Sequence, residues 1–145
     1  MGKSRAAVLL ALALLVAGCG GSGVGGGGLV SIYVAAPLCQ EAEREVRAAR
    51  DLEARATCLP PVEKGGKADL AAAGANARRA TEDSTSVAYL EAAGPGARFT
   101  EPIVDAAGIA WFETSSGSEG VRRVLRAVEV RGSSSPREAV LKEVG

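Results

Sequence analysis

Residues 29–145 alternate short runs of β-branched and apolar residues with longer helix-forming stretches, and this alternation admits few architectures. The strand-like runs are 29–36 (LVSIYVAA, stopped by Pro37), 56–59 (ATCL, stopped by Pro60 and Pro61), 86–90 (SVAYL) and 109–112 (IAWF). Residues 40–55 are helix-forming, with Ala42, Val46 and Ala49 along one narrow face. Residues 62–67 read as a polar turn, and 68–83 as a helix of small residues in which Leu70 is the one large apolar side chain. Phe99, Ile103, Val104 and Ala107 stand at helical spacing before Gly108, where a glycine closes a helix. Pro102, inside that stretch, predicts a kink or a late start. Val121, Val124, Leu125 and Val128 follow the i, i+3, i+4, i+7 pattern of one helix face. Ser135, Pro136 and Glu138 form a capping box with proline at the first helical position, opening a short last helix. The order β-α-β-α-β-α-β-α-α implies a parallel sheet of about four strands with helices on both faces. The fold class is α/β.

The N-terminus is of another kind. Lys3 and Arg5 precede an apolar run over 6–17, which as a helix spans ~18 Å, short of a ~30 Å hydrocarbon core. A cationic start before a short apolar run is the pattern of an export signal. Val16, Ala17, Gly18 and Cys19 close the run and resemble the lipobox of bacterial lipoproteins, in which the cysteine is acylated and becomes the mature N-terminus. Residues 20–28 (GGSGVGGGG) follow as a flexible tether. The tether contains G-x-G-x-x-G at Gly21, Gly23 and Gly26, but with no strand before it and no helix close behind it reads as a linker, not a nucleotide loop. The expected organisation is a signal peptide over 1–18, lipidated Cys19 and tether over 19–28, and a folded lobe over 29–145. The expected location is extracytoplasmic, held to the cell membrane through Cys19.

Composition excludes several functions. The chain has no histidine, which removes Ser-His and Cys-His nucleophile pairs and His-containing zinc sites. Three cysteines, one of them assigned to lipidation, cannot make a four-thiolate site. Zero formal net charge provides no broad basic field for nucleic acid. Aromatics are only 3% of the chain, so the core is expected to rest on Ala, Val and Leu and to be modestly stable.

Two stretches carry a resemblance. Residues 74–90 (GANARRATEDSTSVAYL) resemble the second helix and third strand of type I periplasmic binding proteins, and 102–109 (PIVDAAGI) resemble the helix and strand start that follow. Among that family the chain looks most like the branched-chain amino-acid receptors of ABC transporters, over about residues 30–128. The resemblance implies a single Rossmann-like lobe, truncated, without the second lobe that closes over the ligand in complete receptors. It implies a site at the carboxyl ends of the strands, where open α/β sheets bind ligands in any case. In that family a loop after the third strand and a Ser/Thr-rich turn after the fourth hold an amino acid's α-amino and α-carboxylate groups. The corresponding loops here are 91–97 (EAAGPGA) and 113–117 (ETSSG). Gly94 stands where the family offers a serine, Ser115 where it offers backbone contacts, and Gly117 where it has a threonine. Thr114, Ser115 and Ser116 could supply substitute donors. The partners implied are a small amino acid and an ABC permease, a second copy or a separate chain supplying the other lobe, and the membrane through the lipid anchor.

Cys39 and Cys58 follow or lie within the first two strands, neighbours in the family's sheet. An exported chain meets oxidising conditions, so a Cys39–Cys58 disulfide is expected, the alternative being two buried free thiols. Glu101 and Asp105, four apart, and the Arg122, Arg123, Arg126 stripe read as solvated surface. Trp111 and Phe112 point to opposite sides of the sheet, both as core. Ser115 and Ser116 have no base at a supporting spacing, so an enzyme is not expected, and neither is a cofactor or metal. The function expected is weak binding of a small amino acid by a membrane-anchored lobe. The alternatives are an interaction lipoprotein that lost the ligand, or a degenerate receptor fragment.

Overall fold

The computed structural model describes residues 28–131 and 135–144. The expected signal segment, Cys19 and the expected tether up to residue 27 lie outside the described residues. The elements are β1 (Val30–Val34), a 3-10 turn (Ala36–Leu38), α1 (Cys39–Ala48), β2 (Ala54–Cys58), β3 (Glu63–Lys64), β4 (Lys67–Ala68) and α2 (Leu70–Glu82). They continue with β5 (Ser86–Glu91), α3 (Ala97–Ala106), β6 (Ala110–Glu113), α4 (Gly117–Arg131) and α5 (Pro136–Val144). β2, β1, β5 and β6 form one four-stranded sheet in that order, every pairing parallel. Among the described residues no helix is long and apolar enough to cross a membrane.

Strand parity sorts the core into two layers. Val34, Leu90 and Phe112 stand in register across β1, β5 and β6, and pack with α1, α4 and α5. One residue earlier, Tyr33, Tyr89 and Trp111 stand in register on the opposite side, toward α2 and α3. α2 meets this aromatic row with Ala77 and Ala80, while Leu70 stays 48% exposed. Small residues on the inner face let the helix axis approach a sheet that already carries bulky rings. β1 lies between β2 and β5 and is buried along its whole length. A strand covered on both faces reads as a continuous apolar run, which is why 29–36 is the strongest strand signal in the chain.

Three local expectations are corrected. α1 ends at Ala48, not near Arg55, because Ala54 to Cys58 pair with Val30 to Val34 and Leu52 and Ala54 pack on the core. Helix propensity over 49–55 is overridden by that pairing. In place of a polar turn over 62–67, residues 63–68 form a short antiparallel hairpin, β3 with β4, whose Gly65 and Gly66 both take positive φ (60° and 73°), as its two-residue turn requires. α3 starts at Ala97, well before Pro102, so the proline produces no late start. Gly108, at φ 68°, follows α3 where the sequence places a terminating glycine. Ser135 caps α5, its Oγ accepting from the Glu138 N–H at 3.4 Å.

At the end of the sheet where β5 begins, Asp83 gathers four donors. Its carboxylate accepts from the Thr85 backbone N–H (2.8 Å) and hydroxyl (2.6 Å), from the Tyr33 hydroxyl (3.0 Å) and from Arg55 Nη2 (2.9 Å). Burial acts to raise its pKa, but the hydrogen bonds from Thr85, Tyr33 and Arg55 outweigh it and hold the carboxyl well below the usual range.

Candidate functional site

β1 hands the chain to β2 on one side, whereas β5 continues the sheet on the other. Such a reversal of strand order opens a crevice beyond the carboxyl ends of the strands. Here the crevice is a cavity of about 390 Å³, walled chiefly by Pro37 after β1, Pro60, Pro61 and Val62 after β2, and Pro95 after β5. Asn76 of α2 donates from Nδ2 to the Pro60 carbonyl at 2.9 Å and secures the diproline wall. The β3–β4 hairpin contributes Glu63 and Ala68.

β5 supplies the polar floor. Tyr89 and Glu91 share a face of the strand, and both line the cavity. Burial, with the neighbouring Glu91 charge adding to it, pushes the Tyr89 phenol far above its ordinary pKa, so it stays protonated. Glu91 is only 4% exposed. Its Oε2 accepts from the Thr100 hydroxyl on α3 and from Trp111 Nε1 on β6, the latter at 3.2 Å. Oε1 lies beside Gly96 in the cavity wall: a Cβ built on Gly96 would sit 3.5 Å from Oε1. The cavity is therefore an apolar pocket with one positioned, half-satisfied carboxylate.

The five expected ligand contacts separate into two places. Gly94 lines the cavity. Thr114, Ser115, Ser116 and Gly117, after β6, lie outside its lining, in a turn that is filled from within the chain. The Ser116 hydroxyl donates to Glu41 Oε2 of α1 at 2.9 Å, and the Gly117 and Ser118 backbone N–H groups also serve that carboxylate. These bonds, the Ser116 hydroxyl first, lower the Glu41 pKa. Ser116 Oγ also accepts from the Glu119 N–H (3.3 Å), and Thr114 Oγ1 exchanges hydrogen bonds with the Ser116 backbone at 3.0 and 3.2 Å. Gly117 backs onto the Leu38 carbonyl with no room for a side chain. Ser115 is exposed.

Cys39, the first residue of α1, and Cys58, the last of β2, are joined by a disulfide with Cα atoms 5.5 Å apart. Glu43 Oε1 lies 3.4 Å from Cys58 Sγ, but bonded sulfurs provide no thiolate for a metal. Of the arginine stripe, Arg122 pairs with Glu45 of α1 at 3.2 Å and Arg123 lies 5.2 Å over the Phe112 ring. Arg126, like Glu101 and Asp105, is exposed. Glu91, Thr100 and the indole N–H of Trp111 are the site residues that sequence reasoning missed. The available signal was a lone acid closing an otherwise apolar strand, on the same parity as Tyr89.

No protein-family model matches the chain, and neither a curated protein nor a solved structure is significantly similar to it. The class is accordingly set by fold and geometry: an α/β lobe with an apolar crevice at its topological switch point.

Proposed function

We propose that this chain is a single-lobe small-molecule-binding protein, exported and tethered to the outer side of the cell membrane through acylated Cys19. The observation that carries the reading is the 390 Å³ cavity at the switch point, with the buried Glu91 carboxylate at its floor. That volume falls in the range of pockets that bury a small molecule, roughly 300–1,000 Å³. The resemblance to amino-acid receptors points to a ligand of amino-acid size, and the glycine tether suits a lobe that stands off a bilayer.

The test is a thermal melt of the full chain in detergent against a panel of amino acids, amines, carboxylates and sugars. A melting temperature raised in a dose-dependent way by one chemical class supports the reading, since a ligand that binds only the folded state stabilises it. A cooperative melt that no ligand raises moves the assignment to an interaction lipoprotein. Leu70 and Phe99, 48% and 41% exposed on α2 and α3, are then the surface to map.

A further inference from the structure

We infer that the cavity takes a small organic cation, an ammonium group on an apolar body, with Glu91 as its counter-ion. The inference rests on the ligand-binding reading and names the ligand class within it.

Three observations converge. Buried carboxylates in proteins are paired, because an unpaired one loses its hydration without compensation. Glu91 satisfies this at Oε2 through Thr100 and Trp111, while Oε1 receives no hydrogen bond among the described residues and keeps an opening to solvent beside Gly96, where a ligand's donor can take the place of water. A donor carried by a ligand completes it.

The charge of the lining is one-sided. It includes Glu63 and Glu91 and, among the described residues, no lysine or arginine. A zwitterion's carboxylate entering here meets two acids and no cation. The donors of the turn after β6, which could otherwise serve an anion, are occupied by Glu41. Among charged side chains, the lining therefore offers a partner to the ammonium half of an amino acid alone.

The walls complete the argument. Pro37, Pro60, Pro61, Val62 and Pro95 present hydrocarbon. A hard metal cation asks for about six or more oxygen ligands, which such walls do not supply, whereas an alkylammonium uses both the carboxylate and the apolar surface.

Trp111 is the only tryptophan and bonds directly to Glu91, so its fluorescence reports events at the carboxylate. The full chain is titrated with 3-methylbutylammonium, leucine and 4-methylpentanoate, one hydrocarbon body carried as cation, zwitterion and anion. The amine is expected to bind saturably, at least tenfold tighter than leucine, with the anion silent. Glu91→Gln is expected to weaken the amine at least tenfold. Should that variant fail to fold, Gly96→Ala serves: the cap backbone is helical (φ −72°, ψ −30°) and the new methyl makes only ordinary contacts, yet it stands beside Oε1. It is expected to weaken the amine while leaving the melt unchanged.

Leucine or 4-methylpentanoate binding as tightly as the amine overturns the inference and leaves the ligand-binding reading intact. So does a folded Glu91→Gln or Gly96→Ala chain that binds the amine normally. If all three probes are silent, the thermal panel decides. A hit on another amine, lost in Glu91→Gln or Gly96→Ala, upholds the inference, a hit only on non-cationic ligands overturns it alone, and a silent panel removes both readings.

Discussion

Trp111 reaches from β6 to the acid that ends β5, its indole Nε1 donating to Glu91 Oε2 at 3.2 Å. In the ladder Trp111 stands opposite Tyr89, so its ring leans one pleat toward the carboxyl ends of the strands to meet Glu91. The indole thus adds to its core packing a second task, holding one oxygen of a buried carboxylate so that the other is free for the cavity.

Trp111→Phe keeps most of the apolar contact and removes the N–H. Thr100 alone then holds Oε2. A loss of about 1.5–3 kcal/mol is expected, the size of a hydrogen bond to a charged group, measured by urea denaturation followed by circular dichroism.

Asp83 gives the chain an acid-sensitive joint. Its folded-state pKa lies below the unfolded value, so its stabilisation is fully present above about pH 4 and is lost as pH falls from there toward the folded pKa. Melting temperature is expected to fall over that window. Asp83→Asn should flatten the dependence and cost about 2 kcal/mol at neutral pH by weakening the bonds to Thr85, Tyr33 and Arg55. An unchanged pH profile in the variant counts against this role.

Two glycines of the expected site separate by substitution. A Cβ on Gly117 collides with the Leu38 carbonyl and comes within 2.9 Å of the Ala42 nitrogen, so Gly117→Ala must push α1 and α4 apart. A cost of roughly 3 kcal/mol is expected, the upper part of the overpacking range because the obstacle is backbone. A Cβ on Gly94 meets nothing closer than the Ala92 carbonyl at 3.9 Å. Gly94→Ala should be within about 0.5 kcal/mol of the parent in the same urea titration.

Reducing the Cys39–Cys58 bridge frees a loop with a sequence separation of 19. Chain entropy sets the expected loss at about 3 kcal/mol, read as a lower melting temperature in dithiothreitol. Cys39→Ser with Cys58→Ser should melt like the reduced parent and ignore the reductant.

The class was legible because strand and helix periods differ, and each strand-like run here is bounded by proline, glycine or a change of period. The end of α1 was not. Residues 49–55 favour helix by composition, and only the pairing of Ala54 with Val30 draws the chain into β2. The β3–β4 hairpin was hidden for a different reason: each strand is two residues long, too short for any periodicity, and only the glycine pair marks its turn.

The site divides along the same line. By itself the sequence determined the α/β order, the parity that sends Trp111 and Phe112 to opposite faces, the capping of α5 and a crevice at the carboxyl ends of the strands. Only tertiary structure decided that Glu41 fills the turn after β6 across a separation of 75 residues, and that Glu91 is held by a helix hydroxyl and an indole from the next strand. Period and propensity are local properties. The partners of a buried carboxylate are set by which elements the sheet brings side by side.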